Sequence, residues 1–265
     1  MEQPEKQTSE QSEKPNVMGV LVIDKPRGPT SMSMVNLVRR RASECRANRV
    51  KTGHAGTLDP LATGVLVLGL GKMTKRLGEL TLTNKRYTTV IDLSATTAGH
   101  DDESPREEVD VKHPPDHQTI EQVLETFKGI ILQRPPIFSA VKVDGHRAYA
   151  VARKGKEVVL EPRQVEVFKV ALTEYVWPLV TVDITCAKGF YVRSFARDLG
   201  EKLGTGGYCR EIRRTEVGPF TLEHAHELEN LPEIITQEIL IPPSEVDQML
   251  DSVDANNRSL KDPSQ

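Results

Sequence analysis

Cysteine, aromatic residues and long hydrophobic runs are all scarce in this chain of 265 residues. The three cysteines, Cys45, Cys186 and Cys209, show no Cys-x-x-Cys spacing. That excludes the usual zinc patterns and a disulfide framework, and suits a reducing cytosol. Apolar runs fall well short of the roughly 20 residues that a membrane helix needs. The first sixteen residues have no apolar stretch of the kind a secretory leader requires. Cofactor motifs are missing as well. There is no G-x-x-x-x-G-K-[ST] and no H-E-x-x-H. Gly69-Leu70-Gly71 follows an apolar run as a dinucleotide loop would, but Thr74 stands where the third glycine belongs. The expectation is a cytoplasmic protein with no cofactor, no metal and no membrane contact.

Positive charge also looks deficient, since the net charge is −3. Its distribution changes that reading. Residues 1–16, 99–118 and 244–265 carry −2, −5 and −3, so the rest of the chain carries +7. A basic body with acidic appendages is compatible with a polyanionic partner.

What is present is a series of short strands and helices. Residues 1–16 read as a disordered tail, and Val17–Ile23 as a strand. A Pro/Gly turn then leads to a helix capped by Thr30 or Ser31 and ending in Arg39-Arg40-Arg41, with Arg46, Arg49 and Lys51 beyond. Val65–Leu70 reads as a buried strand, Lys72–Leu80 as a short helix and Lys85–Leu93 as a strand. The acidic insert 99–118 reads as an exposed loop, and Thr119 as the cap of a helix. Phe138–Val143 reads as a strand and Arg147–Arg153 as a short helix. Two strands, Gln164–Tyr175 and Leu179–Ala187, precede a helix over Phe190–Leu203. A strand over Tyr208–Val217 and a short helix over Thr221–Leu228 follow, and residues 244–265 read as a polar tail apart from a turn of helix around Val246–Leu250. The alternation is irregular rather than βαβ. It predicts one α+β domain over 17–243, a mixed, largely antiparallel sheet flanked by helices.

One stretch concentrates chemical potential: V-K-T-G-H-A-G-T-L-D-P-L-A-T-G-V-L-V-L-G-L-G, residues 50–71. It holds a single carboxylate, Asp59, in a Gly/Pro turn at the lip of the buried strand. Asp before Pro is a common turn former, because its side chain bonds nearby amides. The alternative is a nucleophile, which must be ionised, rigid and paired with a cation. Arg193, at the start of a helix, is a candidate for that cation. Its other reading is a surface arginine paired along its own helix.

Four blocks resemble the bacterial TruB family of pseudouridine synthases, in the family's order. They are G-V-L-V-I-D-K-P-R-G-P-T-S (19–31), G-H-A-G-T-L-D-P-L-A-T-G-V-L-V-L-G-L-G-K-M-T-K (53–75), N-K-R-Y (84–87) and K-G-F-Y-V-R-S-F-A-R-D-L-G-E-K-L-G (188–204). The likeness runs from residue 18 to about 245. It implies the pseudouridine synthase fold and isomerisation of the uridine at position 55, in the T-loop of transfer RNA. Asp59 matches the family's aspartate nucleophile. Tyr87 matches the tyrosine that stacks on the target base and serves proton transfer at C5. Arg193 matches the arginine that pairs with the aspartate. His54 resembles the histidine that contacts RNA, and Lys25 with Pro26 matches a basic motif near the site. Ile212 falls where an apolar residue lines the base pocket. Gly53, with Gly56 and Gly64, is expected to bring backbone close to RNA. The implied partner is the T-arm of tRNA, bound by a monomer with no obligate protein partner. The acidic 99–118 insert and tails are expected to point away from RNA, and no C-terminal PUA domain is expected. A tRNA-binding or folding chaperone and a dinucleotide-binding enzyme are the competing readings.

Overall fold

The computed structural model describes residues 17–43, 49–137, 142–143, 146–147 and 160–259. The expected 1–16 tail, the first residues of the Phe138–Val143 strand and nearly all of the Arg147–Arg153 helix lie outside them.

The chain folds as α+β around one mixed sheet, in which eight strands run in the order β14-β1-β3-β12-β4-β11-β10-β7. These are β1 (Gly19–Lys25), β3 (Thr63–Leu70), β4 (Lys85–Asp92), β7 (Gly129–Gln133), β10 (Arg163–Val176), β11 (Leu179–Cys186), β12 (Tyr208–Val217) and β14 (His226–Glu227). Short strands β2 (Thr52–His54) and β13 (Phe220–Thr221) pair with β3 and β12. Two small hairpins stand apart, β5 (Ala95–Thr97) with β6 (Arg106–Glu108) and β8 (Lys142–Val143) with β9 (His146–Arg147). The helices are α1 (Ser31–Arg41), α2 (Leu77–Leu82), α3 (His117–Glu125), α4 (Val192–Leu203) and α5 (Pro243–Ser259). Pairing is antiparallel except between β3 and β12 and between β1 and β14.

The apolar runs of β1 and β3 are continuous because both faces are buried. Leu21, Ile23, Leu66, Leu68 and Leu70 enter the larger core, with Met34, Val35 and Val38 of α1. Val20, Val22, Val65 and Val67 face a second core with Met73, Leu80, Phe220 and Val246. β11 instead alternates, burying Val180, Val182, Ile184 and Cys186 and leaving the residues between half-exposed. That is the period of a sheet covered on one face only. Its cover is α3 and α4, through Ile120, Leu124, Phe195 and Leu199, with Phe127 just past the end of α3.

Three expectations need correction. The turn of helix around Val246–Leu250 in the tail is part of a longer helix, α5, whose Val246 is fully buried in the second core. α3 starts at His117, because Asp116 caps it by accepting from Thr119 N–H. Thr221–Leu228 is not a helix but two 3-10 turns around β14. There the cap is Thr221, with His224 returning a ring nitrogen to the Thr221 N–H.

Candidate active site

Asp59 sits on the loop between β2 and β3, and that loop is held from three sides. Ser31, the first residue of α1, is a latch: its Oγ accepts from Leu58 N–H and donates to Leu58 C=O, both at 2.8 Å. Thr30, not Ser31, caps the helix. Lys25, fully buried at the end of β1, donates from Nζ to the carbonyls of Pro26, Pro29 and Pro60 at 2.9, 2.8 and 3.2 Å. An ammonium has three donors, and three carbonyls satisfy them. Burial lowers the Lys25 pKa to about 8, with Asp59 the largest influence holding it up. Gly28 N–H adds a fourth tie, to Pro60 C=O at 2.8 Å.

The third side is Arg214 of β12. β3 changes partners along one edge: residues 68–70 pair with β2, residues 63 and 64 with β12. Arg214, 1% exposed, fills the gap where those partners diverge. Its Nε donates to Val65 C=O at 2.8 Å, and Nη2 and Nη1 to Gly56 and Thr57 C=O at 3.0 and 3.4 Å. Each is a strand or loop carbonyl left without a ladder partner. Gly64 (φ +99°) makes room, since a Cβ there would lie 2.1 Å from Arg214 C=O. In the sheet, Arg214 is also directly opposite Tyr87 of β4.

These elements line a cavity of about 310 Å³ that holds Asp59, Tyr87, Arg193, Ile212, Lys85 and Arg214, closed on one side by Lys188–Val192. Arg193 is the second residue of α4 and 5% exposed. Its Nη2 lies 2.9 Å from Asp59 Oδ2. The intrahelical role falls to Arg197 instead, which pairs with Asp198 and Glu201. The other branch of Arg193 turns away from Asp59: Nη1 donates to Asp101 Oδ2 and to Gly99 C=O, both at 3.1 Å. Both carboxylates thus share one guanidinium at a helix N-terminus, where the macrodipole also favours negative charge.

Burial raises the Asp59 pKa above its ordinary value, opposed by Arg193 and reinforced by the negative charge of Asp101. Tyr87 is also pushed up by burial, with Arg214 pulling the other way. Burial lowers Lys85 to about 8, and its ammonium donates to Thr81 and Thr83 carbonyls.

The sequence-predicted residues therefore divide. Asp59, Tyr87, Arg193 and Ile212 come together in one cavity. Lys25 lies behind the Asp59 loop, supporting it. His54, at the end of β2, is not among the cavity's lining residues. Its Nδ1 is buried without a hydrogen-bond partner, and burial lowers its pKa. Gly53 lies outside the cavity too, with Leu77 Cδ1 2.7 Å from where its Cβ would be. Glycines 53, 56 and 64 thus admit Leu77 and two parts of Arg214, so their first neighbours are protein.

The acidic insert is largely exposed as expected, and only its start needs correction. It does not simply point outward. Asp101 is 4% exposed, and Asp102 pairs with Arg27 at 3.0 Å, so the start of the insert packs against the site while residues 106–118 stay largely exposed. His100 takes a positive φ of 56°, and Thr97 Oγ1 bonds both Asp101 N–H and Asp101 C=O. This turn hides Asp101 within a run of exposed acids. No local signal singles it out. Arg214 did have a signal, because strand alternation puts it on the same inward face as Ile212. Among the described residues no group of three or more His, Cys, Asp or Glu could hold a metal, and no helix is long and apolar enough to cross a membrane.

Comparison with known proteins bears on this geometry. Residues 40–192 match the TruB family pseudouridylate synthase N-terminal domain, and 193–256 the tRNA pseudouridylate synthase B C-terminal domain. A tRNA pseudouridine synthase B of Phocaeicola vulgatus is 42% identical over 225 residues, covering 83% of this chain and 94% of that protein. One from Thermobifida fusca is 45% identical over 224 residues, covering 80% of this chain and 74% of that protein. Among solved structures, a chain of a Cbf5-Nop10-Gar1 complex superposes with a TM-score of 0.62 at 30% identity, over 80% of this chain and 53% of that one. The family model spans over half the chain, across both the Asp59 loop and the strand carrying Tyr87, and the chain belongs to the TruB family of pseudouridylate synthases.

Proposed function

We propose that the protein converts the uridine at position 55, in the T-loop of tRNA, to pseudouridine, with Asp59 as the nucleophile at the glycosidic centre. The observation that carries this reading is the 2.9 Å pair of Asp59 with buried Arg193, at the wall of a cavity also lined by Tyr87. The bond between N1 and C1′ breaks, the base turns, and C5 bonds to C1′. A proton leaves C5 and N1 gains one, so no oxidant or carrier is consumed. A uridine inside a folded loop must be flipped out before that bond can be reached. The cavity suits a single base, with Tyr87 as a stacking platform worth roughly 1–3 kcal/mol. Ile212 provides an apolar wall, and Arg193 keeps Asp59 charged against the cost of burial. Tyr87 also stands opposite Arg214 in the sheet, which offsets part of the rise that burial imposes on its phenol, and its place in the cavity suits a role at C5. The protein acts as a monomer, without an obligate protein partner. The test is incubation with unmodified tRNA and mapping of pseudouridine by position. Pseudouridine at position 55 is the expected result, and its absence there overturns the reading.

A further inference from the structure

A second cleft lies where the last turn of α1 meets β2. Arg39, Arg49, Lys51, Gly53 and Thr74 line it, and its volume is about 370 Å³. Its walls are fixed. Ser43 Oγ donates to Arg39 C=O at 2.6 Å and accepts from Val50 N–H at 3.0 Å, tying the helix end to the strand's approach. Lys51 C=O accepts from Gly71 N–H at 2.8 Å.

The charge of this cleft is unbalanced. Among the described residues, no carboxylate forms an ion pair with Arg39, Arg49 or Lys51, whereas Arg27, Arg86, Arg193 and Arg213 elsewhere are each paired. Helix-end electrostatics account for a cation in the last turn of α1. They do not account for Arg49 and Lys51, which belong to the next segment and are both exposed. The described residues hold two buried side-chain nitrogens without a hydrogen-bond partner, Arg39 Nε and His54 Nδ1. Arg39, whose Nη2 donates to Asn36 Oδ1, belongs to a wall of this cleft, whereas His54 does not line it. An orphaned guanidinium nitrogen beside an unneutralised basic cleft marks a place suited to an acceptor-rich anion.

We infer that this cleft binds a phosphodiester of the RNA backbone, on Arg49 and Lys51 with Arg39 behind them, as a contact separate from the base-binding cavity. The inference rests on the tRNA reading above. The contact is electrostatic and carries no sequence information; it sets the register in which the T-arm reaches Asp59.

The experiment measures binding of a T-arm stem-loop RNA between 50 and 300 mM salt. It compares the full chain, the Arg49→Gln/Lys51→Gln variant, and Lys112→Gln as a charge control on the exposed acidic segment. Removing one phosphate contact should reduce the slope of log affinity against log salt by roughly one. The expected result for the double variant is a slope shallower by one to two and an affinity roughly tenfold lower at the lowest salt, with KM for tRNA raised to match. Lys112→Gln should behave as the parent chain does. Single methylphosphonate replacements along the RNA supply a second readout. At one backbone position, neutralising the phosphate should weaken the parent chain and leave the double variant unaffected. The parent chain alone still reveals the sensitive phosphate if the variant folds poorly. A double variant with the parent's slope, or no backbone position coupled to Arg49 and Lys51, overturns the inference while conversion of tRNA by the parent chain stands. Failure of the parent chain to bind or convert tRNA overturns both.

Discussion

Asp101 Oδ2 lies 3.1 Å from Arg193 Nη1, on the branch of the guanidinium that does not face Asp59. The arginine is thereby fixed between two carboxylates and cannot swing toward either. Asp101→Asn keeps the shape and removes the charge. Two effects follow. Arg193 loses an anchor, and small displacements near reacting groups cost up to about 10²-fold in rate. Asp59 loses a negative neighbour that raises its pKa, while Arg193 becomes free to favour its ionised form. A nucleophilic carboxylate works ionised, so activity falls as pH drops through its pKa. In the parent chain that acid limb is expected above the ordinary carboxylate range. In Asp101→Asn it should move to lower pH while kcat falls. A pH profile of kcat/KM checks both, and a limb that stays in place or rises would show that Asp59 does not feel Asp101.

Asp59→Asn should abolish pseudouridine formation, by at least about 10³-fold, because the amide is not a nucleophile and meets Arg193 only as a neutral acceptor. RNA affinity should stay near that of the parent chain. Parallel conversion and binding assays decide it, and substantial turnover by the variant would remove Asp59 from the chemistry.

Arg214→Lys keeps the charge but cannot reach three divergent carbonyls from one ammonium. Buried Val65 and Gly56 carbonyls would lose their partner. The expected destabilisation is about 2–4 kcal/mol, at roughly 1–3 kcal/mol for each unsatisfied buried group. Urea unfolding measures it. A loss under about 0.5 kcal/mol would mean that water replaces the guanidinium in the sheet gap.

Gly64 and Gly28 separate crowding from backbone strain. Both have positive φ, at 99° and 108°. A Cβ at 64 would sit 2.1 Å from Arg214 C=O, whereas at 28 nothing lies within 4 Å. Gly28→Ala should therefore cost only the strain of the conformation, about 1–2 kcal/mol. Gly64→Ala adds a backbone clash and should cost about 3 kcal/mol or more. Thermal or urea unfolding of the pair ranks them, and equal losses would rule out the close approach of β3 and β12.

Much of the scaffold can be read locally. Strand and helix periods, the Pro/Gly turn before α1 and the continuous apolar runs of β1 and β3 depend on neighbours a few residues away. Asp59, Tyr87 and Arg193 are marked by motif likeness, and the sheet's period even puts Arg214 on the inward face with Ile212. The sequence alone therefore determines an α+β enzyme scaffold and marks the candidates for its reacting groups. Tertiary structure decides the rest. Asp101 lies among seven acids in 99–118, and only the turn at His100 and its contact with Arg193 set it apart. Lys25 becomes a brace because Pro60, 35 positions away in sequence, folds back over it. Glycines at 53, 56 and 64 turn out to face Leu77 and Arg214. α5 extends well beyond the single turn legible around Val246, because Val246 finds a core assembled by β1, β3 and β12. Burial and pairing are properties of what the whole chain brings to a point, and no window of sequence contains them.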